Sequence, residues 1–241
     1  MSEQGLPGGG TPMGAPFDVD FTFLGVEADR FAAGPTVVFR MRVEEHSGVR
    51  VHALALRCQV RIEPLRRHYS AEEGAAVVDL FGDRSRWGQT MKPLQLAFLA
   101  ETLPGFTGQR DFELRLPCSY DVEVAAHKYL AALEDGEVPL LLLFSGTVFT
   151  GTVGAPVGGT RGGPVGGTGS ALQVLPVPWH KETAVRMPVA VWRAAMDAHF
   201  PGQAWLRLAR PTYQRLAAYR SRHGLVGWDE AVDRLLREVG E

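Results

Sequence analysis

Two cysteines are the residues with the clearest potential for metal or redox chemistry in this chain. Cys58 and Cys118 are its only cysteines among 241 residues, and no Cys-x-x-Cys pair occurs. Together with His52 or His180 they could supply thiolate and imidazole ligands to a zinc, iron or nickel ion. Two thiols without local ligand spacing are more typical of small side chains buried in strands. We therefore keep Cys58, Cys118 and His180 as candidate metal ligands and expect no bound cofactor.

The motifs of common enzymes are missing. Ser145 lies in Phe-Ser-Gly-Thr, which lacks the preceding glycine of a nucleophile elbow. Asp111 and Glu113 alternate at strand spacing, as do Asp121 and Glu123, and such pairs are typical of a solvated strand face. The sequence therefore predicts a protein without catalytic activity.

Arginine and tryptophan provide the candidate residues for protein binding. Arg57 and Arg61 share one face of a predicted strand and could bind an acidic protein partner. Trp205, Arg207 and Trp228 are residue types that anchor interfaces, although tryptophan is equally common in cores. We expect another protein as the partner and leave the oligomeric state open.

Nucleic-acid binding is an alternative that the sequence favours less. Arginines are frequent near the C-terminus, at positions 207, 210, 215, 220 and 222, with tyrosines between them that could stack on bases. The formal net charge of −2 argues against a polyanion as the main partner.

Bulk composition predicts a globular cytoplasmic protein. Hydrophobic residues make up 45% and charged residues 22% of the chain. The most apolar run, residues 138–149, is shorter than the roughly 20 residues that span a bilayer. Residues 1–10 lack the basic and apolar segments of a signal peptide, so we expect reduced thiols.

Alternating apolar residues predict antiparallel strands through most of the chain. In the strand over residues 49–63, we assign the even-numbered side chains from His52 to Ile62 to the core. The run 138–149 is apolar on both faces, which favours a central strand that is covered on both sides. The predicted strands are residues 17–23, Thr36–Glu45, 49–63, 94–103, 110–116, 138–149 and 172–177.

Helices are predicted in one short insertion and at the C-terminus. Ser70 and Glu73 have the spacing of a capping box, which opens a helix that ends at Gly82. Helices are also predicted from Pro188, from Pro211 and from Trp228. Residues 120–133 are ambiguous; we interpret them first as a strand, with a helical turn near their end as the alternative.

These elements predict an α+β chain: a mostly antiparallel β-sandwich with a short inserted helix and a C-terminal cap of about three helices. Residues 1–16 are expected to be disordered, residues 17–187 to form the sandwich, and residues 188–241 to form the helical segment packed on it. Residues 154–169 are rich in glycine and proline and are expected to form a flexible loop.

Several short motifs resemble an uncharacterised actinobacterial family of unknown function. The resemblance covers nearly the whole chain from Phe17 onward. The motifs are residues 58–64, 80–82, 86–88, 117–124, 143–149 and 205–208. Members of that family are associated with gene neighbourhoods of nickel–iron hydrogenases. The resemblance therefore implies an accessory role in the assembly or maturation of a redox enzyme, and it implies no catalytic residues.

Overall fold

The computed structural model describes residues 17–118, 124–151, 172–202 and 208–240. The chain divides into two compact units, Met1–Pro201 and Gly202–Glu241. Two of the sequence predictions, the disordered tail over residues 1–16 and the flexible loop over residues 154–169, lie outside the described residues.

The first unit contains two antiparallel sheets. The first sheet has the strand order β1-β2-β5, and the second has the order β4-β3-β6, with β7 and β8 both paired to β6. The predicted mixture of antiparallel strands and helices is confirmed. The strands are β1 (Val19–Ala28), β2 (Thr36–Glu45), β3 (Val51–Ile62), β4 (Leu94–Phe106), β5 (Gln109–Pro117), β6 (Glu137–Gly151), β7 (Leu172–Pro176) and β8 (Glu182–Pro188).

The buried faces of the two sheets contact each other. Phe21 of β1 stacks on Phe144 of β6, with 4.1 Å between ring centroids, and its edge also meets Phe112 of β5. Side chains at alternate positions of both sheets join one hydrophobic core. This contact favours the predicted sandwich, because apolar strand faces are stable only when another layer covers them.

Strand β6 occupies the centre of the second sheet, as the sequence predicts. It pairs with β3 along one edge, while β8 and then β7 pair along its other edge. Residues 138–142 are buried at every position, but Ser145 is exposed and Thr147 is half-buried. The strand is therefore covered on both faces only in its first half.

Seven helices lie within the described residues. The predicted capping box is confirmed: the Ser70 hydroxyl accepts the Glu73 N–H at 3.0 Å, and the Glu73 carboxylate accepts the Ser70 N–H. The predicted single helix is divided at Val77 into two short ones. The helices are α1 (Ala71–Ala76), α2 (Val78–Phe81), α3 (Trp87–Thr90), α4 (Val124–Ala131), α5 (Val189–Asp197), α6 (Arg210–Arg222) and α7 (Trp228–Val239).

The strand interpretation of residues 120–133 is wrong where the structure describes them. Residues 124–131 form helix α4, and residues 119–123 lie outside the described residues. Ala126, Tyr129, Leu130 and Leu133 are all buried. Their spacing of three and four residues is helical, and burial of this stripe outweighs the strand-like alternation of the preceding segment.

The face predicted for His52 is also wrong. A register shift between Val51 and Ala53 in the pairing of β3 with β6 reverses the alternation there. As a result Val51 is buried and His52 is exposed, whereas the alternate residues from Leu54 to Ile62 are buried as predicted.

Helix α5 packs in the first unit against β1, β2 and β8, with Val189, Trp192 and Ala195 buried. Helices α6 and α7 form the second unit. There the Arg220 guanidinium lies 4.0 Å from the centre of the Trp228 ring, which also contacts Tyr213. That three C-terminal helices cap the sandwich stays a prediction.

Candidate interaction surface

Arg57 lies in the middle of β3, on the face of the second sheet that points away from the core. Ala100 of β4 and Ser145 of β6 are directly opposite in register and share this face. The Arg57 side chain is exposed and has no hydrogen bond or ion pair with the residues that the structure describes. It is therefore a cation that is free to meet a partner.

Arg61 lies on the same face, two residues further along β3, but it is already occupied. Its Nη2 donates to the Glu63 carboxylate at 3.0 Å, and Glu63 is largely buried. The Arg61 Nε is buried without an acceptor among the described residues. Of the two arginines that the sequence predicts for binding, Arg57 is the available one, and Arg61 has a structural ion pair.

Large apolar side chains border this face in two rows across the strands. On one side of Arg57, Phe98 of β4 is opposite Gln59, which is opposite Leu143 of β6; the Phe98 side chain is 76% exposed. On the other side, Phe149 of β6 is opposite Val174 of β7, which is 57% exposed. Exposed apolar side chains in ordered rows are more informative than isolated ones.

Small side chains occupy the band between the two rows. Ala100 and Ser145 flank Arg57, and the next row has Thr102, Ala55 and Thr147. We call the two apolar rows and this band the open face. Within the band Arg57 is the charged side chain, and it has no described partner. Glu182 of β8 is opposite Leu143, at the end of one apolar row, and is also exposed.

Phe98 was not found by sequence reasoning. Leu96 and Leu99 are both buried, and a register shift at Val60 and Arg61 of β3 lets β4 change phase between them. A simple alternation through residues 94–103 places Phe98 on the same face as Leu96, in the core. A bulge of this kind has no signal in the local residue types.

The candidate metal ligands do not form a site in the described part of the chain. Cys58 points into the core from β3 of the second sheet, while Cys118 follows β5 of the first sheet and its thiol contacts the Leu116 carbonyl. Burial raises the pKa of both thiols to about 12. Both side chains belong to the hydrophobic core of the first unit.

His180 lies away from the core, in the turn between β7 and β8. Its exposed ring meets the edge of Trp179, which is also exposed. Among the described residues, no three His, Cys, Asp or Glu side chains are placed to hold a metal ion. The geometry therefore does not bring His180 together with either cysteine in a metal site.

Of the C-terminal candidates, Trp228 and the arginines of α6 lie among the described residues. Trp228 is half-buried in the second unit, under Tyr213 and Arg220, and serves as a packing residue there. Trp205 and Arg207 lie outside the described residues. Arg215 and Arg222 are exposed on α6, whereas Arg220 is held over Trp228. Only part of the predicted arginine cluster is thus free.

A charged cleft of about 520 Å³ lies beside α1, and the sequence did not predict it. At its base Arg67 donates to the Glu73 carboxylate and to the backbone oxygens of Asp135 and Glu137. Burial raises the pKa of Glu73, but hydrogen bonds from the Glu134 N–H and from Arg67 outweigh it, so this pKa lies below its usual value.

These contacts explain the cleft as a structural clamp. Arg67 and Glu73 are both at least nine-tenths buried, and together they fix the turn before β6 to helix α1. A buried ion pair of this kind is stable because hydrogen bonds compensate both charges. These contacts occupy both Nη atoms of Arg67 and the Glu73 carboxylate, while the Arg67 Nε is buried without an acceptor among the described residues.

The fold and this surface define a protein with two antiparallel sheets, helices and an uncovered sheet face. The chain belongs to DUF6084, a family of unknown function, whose model matches residues 16–241. A search of curated proteins finds no match to the chain. Within the described residues, none of the helices has the length and apolar character needed to cross a membrane.

Proposed function

We propose that this protein is a non-catalytic accessory module that binds another protein through the open face. The observation that carries the proposal is Arg57, an exposed arginine without a described partner, whose cross-strand neighbours Ala100 and Ser145 are small and uncharged. On the first sheet, by contrast, Arg42 and Arg115 have carboxylate partners. Arginine is enriched at protein interfaces, so an unpaired arginine among apolar and small residues suits a binding surface.

The composition of the open face supports the same proposal. Interface centres are enriched in aromatic residues and arginine and depleted in lysine and acidic residues. Phe98, Phe149 and Arg57 provide the enriched types, and the band between the rows consists of alanine, serine and threonine. Solvated sheet faces usually carry mixed charges instead.

The partner we propose is a redox enzyme during its assembly or maturation, such as a nickel–iron hydrogenase, in the cytoplasm of an actinobacterium. The support for this identity is the sequence resemblance together with the two buried, unpaired cysteines, which suit a reducing compartment. The open face itself supports a protein partner of any name that offers an acidic and apolar surface.

Site-specific photo-crosslinking in the native host tests this proposal. A benzophenone amino acid replaces Phe98 on the open face or, as the matched control, Phe31, which is 99% exposed in the turn after β1. We expect a discrete protein adduct from position 98 and none of the same mass from position 31. An adduct from position 31 alone, or none from either position, contradicts the proposal.

A further inference from the structure

We infer that Trp179 is the anchor residue of the interaction at the open face, and that the partner protein receives its indole ring in an apolar pocket. The inference rests on the proposed function and specifies the surface that its partner must offer. Three observations carry it: the exposure of Trp179, the attachment of its turn at both ends, and its place beside Arg57.

Trp179 is the most exposed tryptophan among those that the structure describes. Its side chain is 92% exposed in the turn between β7 and β8, and its described ring contact is with the neighbouring His180. By contrast, Trp87 and Trp192 are buried and Trp228 is half-buried. A large apolar ring gains free energy when it leaves water, so a partner that covers Trp179 would be bound more tightly.

Both ends of the turn are fixed to β6. On one side Val177 is buried in the core, and its N–H donates to the Gly146 carbonyl at 3.0 Å. On the other side the Lys181 carbonyl accepts the Phe144 N–H at 2.9 Å, and the Lys181 ammonium group contacts two carboxylates. A side chain on a turn that is held at both ends loses less conformational freedom on binding than one on a free loop, which favours affinity.

The same attachments make the turn leave the strand ladder. Between the two hydrogen bonds β6 has one residue, Ser145, whereas the turn has three, residues 178–180. Two of the three are surplus to strand pairing, so the backbone bends out of the ladder there. Trp179 is the middle residue of the three.

This position is next to the band of the open face. Ser145 is directly opposite Arg57, and neighbouring strands are about 5 Å apart. The backbone of the turn therefore lies about 10 Å from that of Arg57, on the far side of β6. Both residues fit within the roughly 800 Å² that one partner contributes to an interface of standard size. Tryptophan and arginine are also two of the residue types that dominate binding energy at interfaces.

The chemistry of the indole defines the partner surface. A buried tryptophan needs apolar walls around the ring and an acceptor for its N–H. Because the ring belongs to a turn that bends out of the sheet, the matching surface is a pocket. The pocket and the turn are different patches, so a contact between two copies of this chain would be heterologous and would extend into open chains unless it closed a ring. We therefore assign the pocket to a different protein.

The position-98 crosslink, measured in Trp179 variants, tests the inference. The benzophenone amino acid stays at position 98 of the full-length chain in the native host, and Trp179→Ala is compared with the matched control Phe31→Ala. Each substitution removes an exposed aromatic ring from a turn, so both variants should unfold at nearly the wild-type urea concentration. We expect the adduct yield to fall at least about tenfold for Trp179→Ala and to be unchanged for Phe31→Ala.

A second crosslink locates the pocket. With the benzophenone amino acid at position 179 and Phe98 restored, we expect an adduct with the same partner. Mass spectrometry of the digested adduct identifies the partner segment that is joined to position 179. We expect that segment to be rich in leucine, isoleucine, valine, phenylalanine or methionine, because these side chains would form the walls of the pocket.

Two results would overturn the inference. One is a position-98 adduct whose yield is the same in Trp179→Ala and in the unsubstituted chain; this rejects the anchor but keeps the open face as the interaction surface. The other is a position-179 adduct with the mass of two copies of this chain, which assigns the contact to self-association. Absence of the position-98 adduct in the chain that retains Trp179 rejects the proposed function itself, so the two failures are distinguishable.

Discussion

The outer faces of the two sheets differ in how their charges are paired. On the first sheet, Arg42 forms a double hydrogen bond with Asp111, and Arg115 contacts both Asp29 and Glu113. On the second sheet, Arg57 has no described acidic neighbour, and the residues around it are small or apolar. Arg42 and Arg115 are thus paired within the free protein, whereas Arg57 is not.

Under the proposed function, this difference separates a surface that suits water from one that suits a partner. Cross-strand ion pairs solvate well and oppose edge-to-edge or face-to-face association, because a partner must desolvate them. An unpaired arginine among apolar rows favours association instead, because a carboxylate of the partner can neutralise its charge. We therefore expect substitutions on the two sheets to have different consequences.

The largest expected effect is a loss of stability on substitution of Gly146 in the second sheet, with Gly25 in the first sheet as the comparison. A side chain at Gly146 of β6 collides with the Ala55 carbonyl oxygen of β3, so Gly146→Ala forces these central strands apart. A Cβ at Gly25 of β1 lies 3.2 Å from the flexible end of Arg40, which can move. We expect Gly146→Ala to lower the free energy of unfolding by about 3 kcal/mol and Gly25→Ala by less than about 1 kcal/mol.

Urea denaturation of both variants provides this measurement. Equal destabilisation would show that the pairing of β3 with β6 is looser than the structure has it.

The next effect concerns binding rather than stability. Arg57→Glu should reduce the yield of the position-98 adduct about tenfold, because a carboxylate then faces the acidic partner. Arg40→Glu should leave the yield unchanged. Both variants should unfold at nearly the wild-type urea concentration, since both side chains are exposed. A similar loss of adduct in the two variants would mean that general charge, and not the open face, attracts the partner.

A smaller effect should appear where the two sheets meet at their edges. Lys181, just before β8, lies 2.7 Å from Asp18 and 2.9 Å from Asp20. The hydrogen bond from Lys181 is the main cause that lowers the pKa of Asp20 below its ordinary value of 3.8, with a further contribution from His46. A lowered pKa stabilises the fold fully above that ordinary value, and the contribution is lost as the pH falls through the folded value.

Wild-type protein should therefore lose more stability than Asp20→Asn between about pH 6 and about pH 3, by less than about 1 kcal/mol because Asp20 is half exposed. Chemical denaturation at the two pH values measures the difference. An equal loss in both proteins would show that the contact with Lys181 does not persist in solution. Partner capture should be the same in both at neutral pH.

The smallest expected effect is one in which the two sheets behave alike. Cys58 in the second sheet and Cys118 at the end of the first are both buried, with pKa values of about 12. Neither thiol should react with iodoacetamide in the native protein near neutral pH, and both should react in denaturant. Mass spectrometry measures the labelling. Rapid labelling of one cysteine in the native protein would restore that cysteine as a candidate metal ligand.

Local pattern explains which parts of the fold were predictable. Strand β2 was predicted with its observed bounds, Thr36–Glu45, because apolar residues recur at every second position from Val37 to Val43 between two turns. Helix α4 was not, since its buried stripe follows an alternating segment and only tertiary packing decides between the two. The faces of His52 and Phe98 depend on register shifts, which have no local signal.

The candidate surface was predictable only in part. The sequence places Arg57 and Arg61 on one strand face, and the structure confirms that they share it. It cannot show which arginine is free, because pairing depends on contacts between distant segments, as with Arg42 and Asp111. Nor can it show that Phe98 lies on the same face as Arg57, since this requires the register of two strands.

Hydroxyl-radical footprinting in the native host tests the central claim most directly. Phe98 and Phe31 are both exposed in the free chain, so both should be oxidised in purified protein. Inside cells we expect oxidation of Phe98 to fall relative to that of Phe31, because the partner covers the open face. Unchanged oxidation of Phe98, or protection of Phe31 alone, would contradict the proposal that this face of the second sheet is the binding surface.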